Sequence, residues 1–193
     1  MKANESKVID FFTRQPYTQQ KFERHPTSGL ILAETLIDYI VEMNVNPLVI
    51  DAGCGINGFK STFDNVIGFD IAPYEEADFQ ASFSEAHHIF GRQFADVVMA
   101  LGSCNFGTLD ENLYYFDYFH QWLKPGGICA VRVHINRSED NKEEGTEYAP
   151  WTLENADDCA HKWFADKFEC LEMHIEQMTG RDTQLAVWIW KKK

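Results

Sequence analysis

Apolar positions along this chain follow two periods, and the switches between them mark out its elements. Val8, Ile9, Phe11 and Phe12 share helical spacing within residues 5 to 14. Pro16, Pro26 and many polar side chains then break the pattern over 15 to 28. From 29 to 43, Leu30, Ala33, Leu36, Ile37, Ile40 and Val41 form the stripe of an amphipathic helix, followed by Pro47. Short apolar runs predict strands at 48–51 and 66–70, with a third near 78–82 and a short helix over 84–91. Residues 96–101 are continuously apolar, as expected of a central parallel strand buried on both faces. Leu113, Phe116, Phe119, Trp122 and Leu123 predict a helix over 111–124, and a fifth strand follows at 128–135. Residues 136–149 carry Glu139, Asp140, Glu143, Glu144 and Glu147 with little apolar content and read as a long exposed loop. A helix over 152–166 precedes two strands, 168–177 and 184–190, which flank Thr179-Gly-Arg-Asp-Thr183 as an antiparallel hairpin.

Strands alternating with helices predict an α/β fold: a doubly wound, Rossmann-like sheet of about seven strands, mostly parallel, with a C-terminal antiparallel hairpin. Ligands in such sheets bind beyond the C-terminal strand ends, where the strand order reverses. Residues 53–57, 70–72, 101–106 and 134–137 therefore face one crevice. The 193 residues suit one domain with a substantial core, and no internal repeat is visible.

A net charge of −13 opposes long-range attraction to nucleic acid or anionic membrane. No apolar run approaches the ~20 residues of a membrane span. Cys54, Cys104, Cys129, Cys159 and Cys170 are scattered without a CxxC pair, which suits a reduced, cytoplasmic protein. No His, Cys and acid cluster has metal-ligand spacing, so no metal is expected.

The candidate chemistry lies in Val49-Ile-Asp-Ala-Gly-Cys-Gly-Ile-Asn-Gly58 and Val66-Ile-Gly-Phe-Asp70. Glycines at that spacing allow a tight turn and close approach of a ligand. A carboxylate at the next strand end can accept two hydrogen bonds from a ribose diol. Gly53, Gly55 and Gly58 formally match a dinucleotide fingerprint. Asp51 argues against it, because a carboxylate beside bound phosphates is unfavourable where the turn should attract anions. The seven residues between Gly58 and Val66 also leave room for only about two helical turns of crossover.

With Phe94-Ala-Asp-Val-Val-Met-Ala-Leu101 and Leu123-Lys-Pro-Gly-Gly127 added, residues 29 to 190 resemble the class I S-adenosylmethionine-dependent methyltransferases. Asp51-Ala-Gly-Cys-Gly55 is similar to their first motif and Asp70 to their ribose-binding acid. The resemblance implies S-adenosylmethionine as cofactor, with contacts from Asp51, Ala52, Gly53, Cys54, Gly55, Asp70, Ile71, Ser82, Phe83, Leu101 and Gly102. It divides the chain into an N-terminal helical or lid segment, 1–28, and a methyltransferase-like domain, 29–193. Three departures stand out: Asn57 where the family often has a third glycine, a short helix after the first motif, and Ala81-Ser-Phe-Ser84 at the third strand.

The sulfonium methyl of this cofactor is already activated, so the protein mainly positions a nucleophile and excludes water. Ser103 or Asn105, after the fourth strand, could touch substrate, and His134 closes the fifth strand as the candidate general base. His87 or His88 could lie over the adenine or simply face solvent, and Tyr17 and His25 could close over the site. The nucleic-acid methyltransferase signatures (Asn/Asp-Pro-Pro-Tyr/Phe or Pro-Cys) are absent after the fourth strand. The expected substrate is therefore a small molecule or a protein side chain, with nucleic acid disfavoured and no membrane partner. Two alternatives remain open: a non-catalytic cofactor-binding regulatory or partner subunit, and a nicotinamide (NAD) oxidoreductase.

Overall fold

The computed structural model describes residues 3–14, 16, 18, 32, 35, 36, 38, 39, 46–137, 146–177 and 184–193. Its strands are β1 Val49–Ala52, β2 Val66–Asp70, β3 Phe79–Gln80, β4 Ala95–Leu101, β5 Leu123–Ile135, β6 Phe168–Gln177 and β7 Gln184–Lys192. They form one seven-stranded sheet in the order β3-β2-β1-β4-β5-β7-β6. β1 pairs in parallel with both β2 and β4, so the strand order reverses between β1 and β4. β7 runs antiparallel to both β5 and β6, which is the expected C-terminal hairpin; its connection, 178–183, lies outside the described residues.

Period-2 alternation along fully buried strands produces two cores, one on each face of the sheet. Val98 and Ala100 of β4 face a core holding Phe69, Phe116, Phe119, Trp122, Trp188 and Trp190. Val97 and Met99 face the other, with Leu32, Leu36, Phe59, Phe63 and Ile189. Leu32 and Leu36 belong to the second expected helix, whose residues 32, 35, 36, 38 and 39 are helical. The rest of its stripe, Leu30, Ala33, Ile37, Ile40 and Val41, lies outside the described residues.

The other helices are α1 Ala3–Arg14, α2 Phe83–Ile89, α3 Leu109–Trp122 and α4 Leu153–Asp158. α2, α3 and α4 each begin with a reciprocal capping box, Ser82 with Glu85, Thr108 with Glu111 and Thr152 with Asn155, which satisfies orphan N–H groups of the first turn.

Three sequence expectations are corrected. The helix expected over 152–166 is α-helical only to Asp158 and then widens into a π-turn over Cys159–Trp163. Leu123-Lys-Pro-Gly-Gly127 belongs to β5 rather than to a helix end and turn: Leu123 pairs with Ala95 and Ile128 with Val97, so the residues between bulge outward. Lys124 Nζ anchors the bulge on both Asp96 oxygens, at 2.8 and 2.9 Å. The end of the expected loop is folded in. Thr146 and Ala149 are buried, Tyr148 bridges to Phe106, and Trp151 Nε1 donates to Cys104 O at 2.9 Å. Its acidic centre, 138–145, lies outside the described residues.

Candidate active site

β1 ends in the glycine turn. The Gly53 and Cys54 N–H groups both donate to Phe69 O of β2, at 2.8 and 3.0 Å, which bends the chain sharply over the strand end. Gly53 sits at φ +82°, and a Cβ there would lie 2.3 Å from Ser103 Cβ. The Ser103 hydroxyl adds a second tie, donating to Ala52 O at 2.5 Å. The turns after β1 and β4 therefore interlock across the point where the strand order reverses.

Asn57 explains the missing third glycine. It occupies the left-handed region at φ 52°, which Asn tolerates better than most side chains. Its amide donates to Glu76 O and Asp78 Oδ2, both at 3.1 Å, and fills the space above Gly68, where a Cβ would lie 2.4 Å from Asn57 Oδ1. Only one tight turn, Gly58–Ser61, follows it, so the crossover is shorter than the two turns the spacing allows.

Two carboxylates close the base of the crevice. Asp70 Oδ2 accepts from Gly55 N and Oδ1 from Ala72 N, each at 2.8 Å. These bonds lower its pKa, but burial outweighs them and the net direction is upward. Asp51 is only 3% exposed, and its Oδ2 has no hydrogen-bond partner. Burial, reinforced by the nearby Asp70 charge, pushes the Asp51 carboxyl up to about 8. Cys54 is pushed up as well, first by burial and then by Asp51 and Asp70, so it is a thiol rather than a thiolate at neutral pH.

These residues line a crevice of about 1200 Å³, counting its open mouth. Of the expected contacts, Asp51, Gly53, Cys54, Gly55, Asp70, Ile71, Ser82, Phe83, Leu101 and Gly102 lie in its wall. Ala52 is fully buried behind the wall and takes part through its carbonyl. Ser103 and Phe106, within the expected 101–106, line it too. Tyr74, Glu111, Tyr115 and Arg132, and Glu5, Val8 and Phe12 of α1, also line it, although the sequence does not single them out as crevice wall. Arg132 carries a readable signal, a cation inside the apolar run of β5. It is 8% exposed, and its Nη2 donates to Leu101 O at 2.8 Å. Glu111 and Tyr115 sit four residues apart on one face of α3, a spacing that places them together once the helix is docked.

Asn105 and His134 are not among the residues lining the crevice. Asn105 is buried; its Nδ2 donates to Gly102 O at 2.8 Å and its Oδ1 accepts from His134 N at 2.7 Å, so it ties the turn after β4 to β5. His134 is half-buried, with Nδ1 3.3 Å from Arg137 Nη1. Asn105→Ala is accordingly expected to lower stability by about 1–3 kcal/mol, because two bonded partners lose their contacts. Chemical denaturation checks this; an unchanged midpoint would remove the bracing role. His87 stacks on Tyr118 at 4.0 Å, outside the crevice wall, while Tyr17 and His25 lie outside the described residues. Among the described residues, no group of three His, Cys, Asp or Glu could hold a metal ion, and no helix is long and apolar enough to cross a membrane.

No family model and no curated protein matches the chain. Solved structures do match its shape. The 1,6-didemethyltoxoflavin-N1-methyltransferase of Burkholderia thailandensis, with its substrate and S-adenosylhomocysteine bound, superposes with a TM-score of 0.76 at 15% identity, covering 100% of this chain and 92% of that one. The N-methyltransferase NodS of Bradyrhizobium japonicum WM9, bound to S-adenosylhomocysteine, gives 0.67 at 10% identity, covering 96% and 98%. A cyclase, SpnF, gives 0.61 at 15% identity, covering 83% and 79%. The chain has the fold of the class I S-adenosylmethionine-dependent methyltransferases. A cyclase among its neighbours illustrates that this fold alone does not select the reaction.

Proposed function

We propose that this protein is an S-adenosylmethionine-dependent methyltransferase that transfers a methyl group directly to a small molecule or a protein side chain. The observation that carries this reading is Asp51, a buried carboxylate with an unpartnered oxygen in a crevice built from the glycine turn and Asp70. An orphaned buried carboxylate is costly unless a donor arrives to meet it. An ammonium group, such as the amino-acid end of S-adenosylmethionine carries, supplies that donor, whereas a pyrophosphate would add a second anion. The structures crystallised with S-adenosylhomocysteine on the same fold support the same cofactor.

When bound, S-adenosylmethionine supplies an electrophilic methyl on a sulfonium. The chain's own residues bind and shield it. Gly53 and Gly55 keep the turn free of side chains, so backbone can approach the ligand. Asp70 holds Gly55 N and Ala72 N, yet each carboxylate oxygen has a second lone pair with which to receive a ribose hydroxyl. Ser82 and Phe83 lie at the start of α2, on the adenine side that the resemblance implies. α1 contributes Val8 and Phe12 to the wall, which reduces access of water.

Among the described residues no histidine lines the crevice, and Cys54 is held as a thiol. An acceptor that is already nucleophilic needs no base, so direct transfer fits this lining. The same observation favours the second reading, a cofactor-binding subunit without catalysis. A thermal-shift panel with S-adenosylmethionine, S-adenosylhomocysteine and NAD tests the cofactor, since a ligand at 100 times its dissociation constant adds about 2.7 kcal/mol. Methyl transfer from labelled S-adenosylmethionine to candidate acceptors separates enzyme from binding subunit.

Asp70→Ala is expected to weaken S-adenosylhomocysteine at least about tenfold and, because Gly55 N and Ala72 N lose their acceptors, to destabilise by roughly 2–4 kcal/mol. Calorimetry and thermal melts read both effects. A folded variant that binds as tightly as wild type would end the ribose assignment.

A further inference from the structure

The crevice is lined by more residues than those expected to hold the cofactor. The part of its wall formed by α1, the turn after β4 and α3 has its own chemistry. α1 contributes Glu5, Val8 and Phe12, the turn after β4 contributes Phe106, and α3 contributes Glu111 and Tyr115. The rings of Phe12 and Phe106 meet edge to face at 5.6 Å, and Tyr115 lies 4.5 Å from Phe83. We propose that this part of the wall is the acceptor subsite and that it takes a planar aromatic molecule bearing a neutral or protonated nitrogen, to the exclusion of anions. The proposal rests on the methyltransferase reading for the name acceptor, but the ligand chemistry follows from the wall alone.

Three observations select that chemistry. Aromatic rings from three separate elements bound the space, and flat apolar ligands fill such gaps by stacked or edge-on contacts. The charged lining here is acidic: Glu5 and Glu111 stand against one cation among the described lining residues, Arg132, which already donates to Leu101 O. An anion placed there would be desolvated beside like charges, whereas a cation gains from both the carboxylates and the ring faces. The Tyr115 hydroxyl is pushed up by burial, then by Glu111 and Glu5, so it stays protonated and can donate to an acceptor nitrogen or oxygen.

The test uses the full chain and three probes, 4-aminoquinoline, quinoline-4-carboxylate and cyclohexylamine, titrated with and without saturating S-adenosylhomocysteine. 4-Aminoquinoline is expected to bind about tenfold or more tightly than either of the others, a difference of about 1.4 kcal/mol. The double change Glu5→Gln with Glu111→Gln should remove most of that preference. A glutamine amide at position 111 can still complete the capping box with Thr108, so α3 keeps its start. Phe12→Ala provides a second, uncharged probe of the same wall and should weaken 4-aminoquinoline several-fold. Equal or tighter binding of the carboxylate, an unchanged preference in the double variant, or an equal fall in S-adenosylhomocysteine affinity would overturn the proposal. Failure of S-adenosylhomocysteine to bind wild type, with the amine preference intact, would overturn the cofactor reading and leave the subsite chemistry standing.

Discussion

Asp51→Asn is expected to raise the melting temperature of the ligand-free protein at neutral pH and to remove most of its cofactor affinity. The native Asp51 carboxyl holds its proton up to about 8, against 3.8 as the ordinary value. Between those limits the native state binds more protons here than the unfolded chain, so stability falls as pH rises from about 4 to about 8 and then levels off. An amide at this position carries no such penalty. The stability gap in favour of the variant should be near zero at pH 4 and widen to on the order of 1 kcal/mol or more at pH 8. S-Adenosylhomocysteine should bind on the order of 100-fold more weakly, since a buried hydrogen bond to a charged group is worth about 1.5–3 kcal/mol. Thermal melts at the two pH values and calorimetry check both halves. A variant no more stable at pH 8 than wild type, or one that binds as tightly, contradicts the role given to Asp51.

Gly53→Ala is expected to cost roughly 2–4 kcal/mol and to lower S-adenosylhomocysteine affinity by more than about tenfold. Two effects add. At φ +82° any Cβ is strained, and here it would also lie 2.3 Å from Ser103 Cβ, an atom fixed by its own backbone that no side-chain rotation can move away. The relaxation must move the turn itself. Combining Gly53→Ala with Ser103→Gly should recover part of the loss by relieving the overlap, leaving the φ strain and the lost Ser103 bond. Denaturation curves of the three variants decide; unchanged stability in Gly53→Ala would mean that the two turns do not interlock.

The strands that build the site were legible because burial on both faces leaves continuous apolar runs. β2 matches 66–70 residue for residue, and β4 extends the expected 96–101 by one residue, Ala95. The β5 bulge was not legible. Lys-Pro-Gly-Gly has the composition of a turn, and its place in a strand depends on the pairing of Leu123 with Ala95 and on Asp96, 28 residues away from Lys124. The position of Asp70 at a strand end could be read from sequence, but its bonds to Gly55 N and Ala72 N follow from the fold of the turn around it. Asn105 and His134 show the limit most clearly. Both stand at or just after the ends of apolar strands, where a crevice residue should be, yet a bond between them turns Asn105 into a brace. α1 falls within the expected helical or lid segment 1–28, but which of its side chains face the crevice was not legible: Val8 and Phe12 read as one apolar stripe with Ile9 and Phe11, and only packing makes them wall.

The central claim, that this crevice holds S-adenosylmethionine through Asp51, is tested most directly by calorimetry of S-adenosylhomocysteine at pH 7 in two buffers of different ionisation enthalpy, with NAD as the comparison. The account predicts a dissociation constant in the micromolar range or tighter, roughly −8 kcal/mol, and a heat that differs between buffers because Asp51 gives up close to about one proton as the ligand's ammonium arrives. Binding of NAD with none of S-adenosylhomocysteine would contradict the cofactor, and S-adenosylhomocysteine binding with identical heats in both buffers would contradict the part assigned to Asp51.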